Sequence, residues 1–172
     1  MKQGKSKAKG NLFENKTAKQ LGQWMFDNPN MLIRSTTSGA KKTAYLGDIV
    51  PAMQMPWTTW PFNVETKHGY ENQIADLSNQ KTTREWLGKV IAERGDQELI
   101  IYLIIKFHRR KTILLTDLPF SNVTAPIILN HAHGTGYLPF HLYNFEELLT
   151  CDFYSLYDNN EKLKTEIFKR GI

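Results

Sequence analysis

The 172-residue sequence predicts an α/β domain in which helices flank a mixed β-sheet. Two observations favour this fold class. The predicted elements follow the order helix, three strands, helix, two strands, and residues 98–107 form an apolar run without alternation, which is typical of a central strand buried on both faces. The content of 41% apolar and 12% aromatic residues indicates a folded chain long enough to bury a core.

The chain begins with a lysine-rich segment and then a helix. Residues 1–10, rich in Lys, Gly and Ser, are predicted to be a flexible basic tail, and residues 11–172 a single domain. From Asn11 onward, apolar residues recur at helical spacing until Asn28-Pro29-Asn30 ends the run. The stripe along this helix comprises Phe13, Thr17, Leu21, Trp24 and Met25.

Three strands are predicted next, over residues 31–37, 46–50 and 62–68. The third alternates between a mainly apolar face and a face that carries Glu65 and Lys67. Residues 51–61, which join the second and third strands, contain three prolines and two tryptophans. We expect these aromatic residues to cover one end of the core; the alternative is a surface that meets DNA or another subunit.

The second half of the chain begins with a helix from about Thr83 to Arg94, which Gly95 ends. Residues 108–111 form a basic turn from the central strand into a partner strand at 112–116. Glycines at 134 and 136 predict a loop over residues 131–137, which disfavours a zinc site built on its two histidines. A short strand at 140–143, a turn capped by Asn144 and a last helix ending near Lys169 complete the prediction.

The positive charge lies near the amino terminus. Residues 1–43 hold nine of the 22 Lys and Arg residues and two of the 17 acidic residues, whereas the rest of the chain has a net charge of −2. Such an asymmetry indicates either contact with a polyanion or a solubilising tail. With one cysteine, no secretory signal and no apolar run of membrane-spanning length, we expect a reducing cytoplasm, that of the host if a phage encodes the chain.

Two carboxylates and a lysine form the pattern that carries chemistry. Asp48 follows Gly47 at the second strand, and Glu65-Thr66-Lys67 comes after a gap of sixteen residues. Carboxylate oxygens are the ligands that Mg²⁺ prefers, and a neighbouring lysine can orient water or offset charge on a phosphate. The alternative is an ordinary ion pair between Glu65 and Lys67 on an edge strand, worth about 0–1 kcal/mol at a surface.

The order of these motifs resembles the PD-(D/E)xK nuclease superfamily, and within it the archaeal-type Holliday junction resolvases. The likeness extends over roughly residues 9–115 and comprises the Lys-Gly-Asn-Leu-Phe-Glu helix, the strand with Arg34, the Ser38-Gly39 loop, Asp48 and Glu65-Thr66-Lys67. It implies a restriction-endonuclease-like fold, with a nuclease motif core at 11–115 and a carboxyl-terminal extension at 117–172. Gly47 departs from the proline that often precedes the aspartate in this family.

The resemblance also implies a role for each matching residue. Asp48 and Glu65 would be the main metal ligands, joined by the Thr66 carbonyl and by Glu14 from the first helix. Lys67 would be the catalytic lysine, and Ser38 would contact the phosphate near the cut. The predicted DNA-binding residues are Lys7, Lys9, Arg34, Lys41 and Lys42.

The implied activity is a Mg²⁺- or Mn²⁺-dependent endonuclease that cuts four-way DNA junctions in recombination or phage DNA processing. A homodimer is implied because such a junction offers two symmetric strands to cut. One alternative is a nuclease of the same fold that acts on linear duplex, flaps or ends. The other is a DNA-binding module that keeps the fold without turnover.

Overall fold

A computed structural model confirms the α/β class. It describes the residues 3–35, 45–52, 54–57, 59–70, 81–108 and 110–164. In chain order its elements are α1 (Gln3–Phe26), β1 (Leu32–Arg34), β2 (Ile49–Pro51), β3 (Phe62–Tyr70), α2 (Lys81–Arg94), β4 (Ile100–Phe107), β5 (Thr112–Thr116), β6 (Ile127–His133), β7 (Gly136–Asn144), α3 (Phe145–Leu148) and a 3₁₀ turn (Tyr154–Tyr157).

Five strands form one mixed sheet in the order β3-β4-β5-β7-β6. β3 and β4 run parallel, and their connection contains α2, as a parallel crossover requires. The other neighbours in this sheet pair antiparallel. The arrangement is consistent with a restriction-endonuclease-like fold.

Helix α1 begins at Gln3, whereas the apolar periodicity predicts a start at Asn11. Residues 3–10 have no apolar stripe, but they include Lys, Ala and Gln, which are good helix formers and extend a helix that packing has already established. The packed part is the second half, where Ala18, Leu21 and Met25 are buried. The helix ends at Phe26, and Asp27 follows with a φ of 54°.

The strands β1 and β2 pair antiparallel, with Ile33 opposite Val50, in a small sheet of their own. Both are shorter than predicted, and residues 36–44, which hold the predicted Ser38 loop, lie outside the described residues. An isolated bridge between Gly47 and Val64 joins this pair to β3. That bridge brings the segment containing Asp48 alongside the Glu65 strand.

Strand β4 is the central strand that its apolar run predicts. All of its residues except Lys106 are buried. Alternate residues serve two cores: Tyr102 and Ile104 face α1, while Ile101 and Leu103 face α2. Both faces of β4 are therefore covered, which leaves the neighbouring edge strand β3 as the place where a functional site can meet solvent.

The carboxyl-terminal residues complete the α1-side core. Phe145, Phe153 and Tyr157 are buried there, and the Tyr102 and Tyr157 hydroxyls are hydrogen bonded. The Asn144 cap is confirmed, since its side chain accepts from the Glu147 amide at 3.4 Å. Asn160 likewise accepts from the Leu163 amide at 3.1 Å, while the predicted end of the last helix lies outside the described residues.

The loop prediction for residues 131–137 is wrong. These residues belong to a hairpin in which His131 pairs with Leu138 and His133 with Gly136. Gly134, with a φ of 56°, lies in the tight turn, so the glycines mark a two-residue connection rather than a long loop. The strand at 140–143 is accordingly the second half of the longer β7.

The tryptophan-rich connection covers one end of the core, as expected. Trp57 and Trp60 are 5% and 2% exposed, and their rings stack with centroids 6.2 Å apart. Trp57 also stacks on Phe153 and packs against Phe26. Within the described ranges, no helix has the length and apolarity that crossing a membrane would need.

Candidate active site at the edge of strand β3

Strand β3 carries the candidate site on one of its faces. Phe62 and Val64 point into the α1-side core. By the alternation of the strand, Glu65 and Lys67 point to the α2 side, and the charge of Lys89 on α2 acts on Glu65. Glu65 is only 6% exposed, so its carboxylate is well shielded from water.

Backbone contacts hold Asp48 against this strand. The Asp48 amide donates to the Val64 carbonyl at 2.7 Å, and the Asp48 carbonyl accepts from the Ser35 amide at 2.7 Å. The Thr66 amide and hydroxyl both donate to Asp48 Oδ2, at 2.9 and 3.1 Å. Among the described residues, Oδ1 of Asp48 accepts no hydrogen bond, so half of a firmly placed carboxylate remains for a ligand.

Glu65 lies where ionisation of its carboxyl group is costly. Burial raises its pKa, the negative charge of Asp48 raises it further, and Lys67 and Lys89 act in the opposite direction. The Lys67 ammonium contacts Glu65 Oε1, and both side chains are largely buried. The Lys67 ammonium therefore offsets part of the cost of placing the Glu65 charge in this buried position.

This donor set fits a hard divalent cation. Asp48 and Glu65 provide oxygen ligands close enough for the Asp48 charge to raise the pKa of Glu65, and a bound cation would offset that repulsion. In the part of the chain that the structure describes, no three Asp, Glu, His or Cys side chains are grouped closely enough to hold a metal ion. A cation would therefore rely on two carboxylates, with backbone and water oxygens for the rest.

Glu14 has a different partner. Its carboxylate forms an ion pair with the Nε of Arg34, with both side chains about a quarter exposed or less. The structure therefore brings Glu14 together with Arg34, another predicted site residue, instead of grouping it with Asp48 and Glu65. A metal-directed role for Glu14 and a DNA contact by Arg34 stay predictions.

The other five predicted site residues lie either on α1 or outside the described residues. Lys7 and Lys9 are exposed on α1. Ser38, Lys41 and Lys42 lie outside the described residues. The roles expected of these five residues stay predictions.

Gly47 and Asn63 form a close contact that the motif comparison did not anticipate. Gly47 has a φ of 95°, and a Cβ there would lie 2.5 Å from the Val64 carbonyl oxygen and 2.8 Å from Asn63 Oδ1. Asn63 is fully buried, and in the described part of the chain neither of its amide atoms has a hydrogen-bond partner. A glycine directly before the aspartate was the available signal, since it permits positive φ and close approach.

Comparison with known families gives one match. The family model described as "Phage putative PDDEXK endonuclease" matches residues 5–145, which is most of the chain. The match spans α1, the Asp48 segment, the Glu65-Thr66-Lys67 strand and both later hairpin strands. No curated protein and no solved structure matches the chain significantly.

Proposed function

Since this chain belongs to the family described as "Phage putative PDDEXK endonuclease", we propose that it is a divalent-metal-dependent endonuclease selective for four-way DNA junctions. The observation that carries the proposal is the convergence of Asp48, Glu65 and Lys67 at the edge of β3. A nuclease of this family acts on DNA; selectivity for junctions rests on the resemblance to Holliday junction resolvases.

In this proposal Asp48 and Glu65 would hold Mg²⁺ or Mn²⁺, and the Thr66 carbonyl would be a third ligand. The bound cation would supply Lewis acidity toward the phosphate and a lower pKa for its water. The Thr66 amide and hydroxyl orient Asp48, so that one carboxylate oxygen stays available. Burial of Glu65 excludes competing water from the ligand position.

Lys67 would have two roles in this proposal. In the absence of substrate it pairs with Glu65 and partly offsets the charge of that carboxylate. When a phosphodiester is bound, its ammonium orients the attacking water and stabilises negative charge on the phosphate oxygens. The products would carry a 5′-phosphate and a 3′-hydroxyl.

A homodimer would place two such sites on the symmetric strands of a junction. The excess of basic residues in 1–43 supports contact with a polyanion, since it contributes +7 to a chain whose net charge is +5. Both the dimer and the junction belong to the same proposal, because paired cuts need paired sites.

The test compares a labelled four-way junction with linear duplex and single strand, in Mg²⁺, in Mn²⁺ and in EDTA. Glu65→Gln is the matched control, because it removes the charge and keeps the size of a buried side chain. We expect paired, symmetric nicks on the junction in either metal, none in EDTA, and none with the variant.

Two other outcomes would change the assignment. Equal cutting of linear duplex or flaps would keep the nuclease and refute junction selectivity. Tight DNA binding with no cutting of any substrate would favour the DNA-binding module. Sedimentation of the protein with and without the junction checks the dimer independently.

A further inference from the structure

A cluster of basic side chains lies beyond the candidate site, at the carboxyl-terminal ends of β3 and β4. The parallel register of the two strands sets His68 directly opposite Lys106. Both residues lie on the sheet face that α1 covers, since the preceding pairs on this face, Val64 with Tyr102 and Thr66 with Ile104, point toward α1. His108 follows one residue after β4 ends.

Helix α1 adds a fourth basic residue to the same place. The ring of Phe13 packs against the ring of His68, with centroids 5.2 Å apart. Lys9 lies one helical turn before Phe13 and so projects from the same side of α1. The pKa of His68 is lowered by partial burial and then by the positive charges of Lys9, Lys106 and His108, which agrees with this proximity.

This cluster has little negative charge of its own. In the described part of the chain Lys9, His68 and His108 form no ion pair, and Lys106 lies 4.0 Å from Glu146. Glu146 is itself engaged, because its carboxylate accepts from the amide and hydroxyl of Thr112. The two lysines and two imidazoles are thus close together, and the lysine charges are incompletely balanced, an arrangement that an external anion would stabilise.

The position of the cluster indicates which anion. His68 is three residues beyond Glu65 on the same strand, a rise of about 10 Å. Because Glu65 points to the α2 face of β3 and His68 to its α1 face, a DNA backbone that reached both positions would cross the edge of this strand, which is the first in the sheet order. The chain between these two positions carries Thr66 and Lys67, and no acidic residue intervenes.

We propose that Lys9, His68, Lys106 and His108 form a phosphate-binding site that holds the DNA backbone adjacent to the cleavage site. The proposal rests on the proposed nuclease function. It assigns Lys106 and His108, which have no place in the catalytic motif, to substrate binding. The site would position DNA without reading the base sequence, because contacts to phosphates carry no base information.

The test measures binding of a fluorescein-labelled linear duplex by anisotropy over a series of KCl concentrations. All proteins carry Glu65→Gln, which prevents cleavage. The test variant is Lys106→Ala, and the control is Lys162→Ala, which removes the same charge from an exposed lysine paired with Glu98 near the carboxyl terminus. We expect Lys106→Ala to weaken binding and to reduce the slope of log K against log salt by about 0.9, the loss of one phosphate contact.

A second variant separates charge from local structure. The Lys106 ammonium also donates to the Arg110 carbonyl in the following turn. Lys106→Gln keeps a donor there but removes the charge, so it should lose the same slope as Lys106→Ala. If Lys106→Gln binds like the parent protein, or if the control loses as much slope as Lys106→Ala, the phosphate-binding assignment is overturned.

A cleavage assay on the protein that retains Glu65 separates a failure of this binding site from a failure of the proposed nuclease function. Metal-dependent cleavage with an unchanged slope for Lys106→Ala would leave the nuclease standing and overturn this site. A reduced slope without cleavage by the intact protein would support the site and overturn the catalytic proposal.

Discussion

Replacing Gly47 with alanine tests how the candidate site is positioned. Alanine adds a single methyl group, which should lower the stability of the fold in two separate ways. The backbone at Gly47 has a φ of 95°, and non-glycine residues in such sparsely populated regions cost about 1–3 kcal/mol. The new Cβ would also lie 2.5 Å from the Val64 carbonyl oxygen and 2.8 Å from the Val64 amide nitrogen, both of them backbone atoms in β3.

Gly69 provides a matched control for the backbone strain at positive φ. Its φ of 89° is nearly the same, but a Cβ there meets no atom of the described residues within 4 Å. Gly69→Ala should therefore lose about 1–3 kcal/mol from backbone strain alone. Gly47→Ala should lose a further ~1–3 kcal/mol, because forcing a methyl group into a packed position displaces its neighbours.

The assay is urea unfolding followed by tryptophan fluorescence, together with a thermal melt. At about 2–4 °C per kcal/mol for a chain of this size, Gly47→Ala should melt at least about 2 °C below Gly69→Ala. Nuclease activity of Gly47→Ala should fall as well, because Asp48 is the next residue. Equal destabilisation by the two variants would refute the reasoning, since it would mean that the contact with Val64 imposes no constraint.

The backbone conformation of Gly47 also explains why this chain has no proline before Asp48. Proline, which often precedes the aspartate in the resolvase family, has a φ fixed near −65°. That value is incompatible with the positive φ of Gly47. Gly47→Pro should therefore prevent this segment from joining β3.

Three other predictions concern stability. Asp117→Ala should lower the free energy of unfolding in urea by about 2–3 kcal/mol. The Asp117 carboxylate accepts a hydrogen bond from the Ile101 amide at 2.8 Å and pairs with the largely buried Arg94. Unchanged stability of the variant would contradict this prediction. Glu65→Gln should raise the metal-free melting temperature at neutral pH. Because the folded pKa of Glu65 is raised, the ionised form costs stability above that pKa, so the advantage should shrink as pH falls through it, and a pH-independent difference would refute the argument. Asn63→Val should raise the melting temperature, since it removes two buried amide atoms that lack partners among the described residues; a lower melting temperature would indicate that bound water satisfies them.

Local pattern was enough to predict the elements on which the site is built. The alternation in residues 62–68 placed Glu65 and Lys67 on one face, and the unbroken apolar run of β4 indicated burial on both faces. Such periods follow from the geometry of each strand alone, so they can be read without knowing its neighbours. The same local reasoning was wrong for residues 131–137, where a two-residue turn between paired strands resembled a longer loop.

The partners of the site residues followed from long-range contacts instead. Asp48 meets Thr66 through the bridge from Gly47 to Val64, and His68 meets Lys106 through the parallel register of β3 and β4. Register is set by which hydrophobic faces become buried together, a property of the whole core rather than of any segment. For that reason the spacing of the motif predicted an acidic site, while its exact neighbours, including the pairing of Glu14 with Arg34, emerged only when the sheet and α1 were assembled.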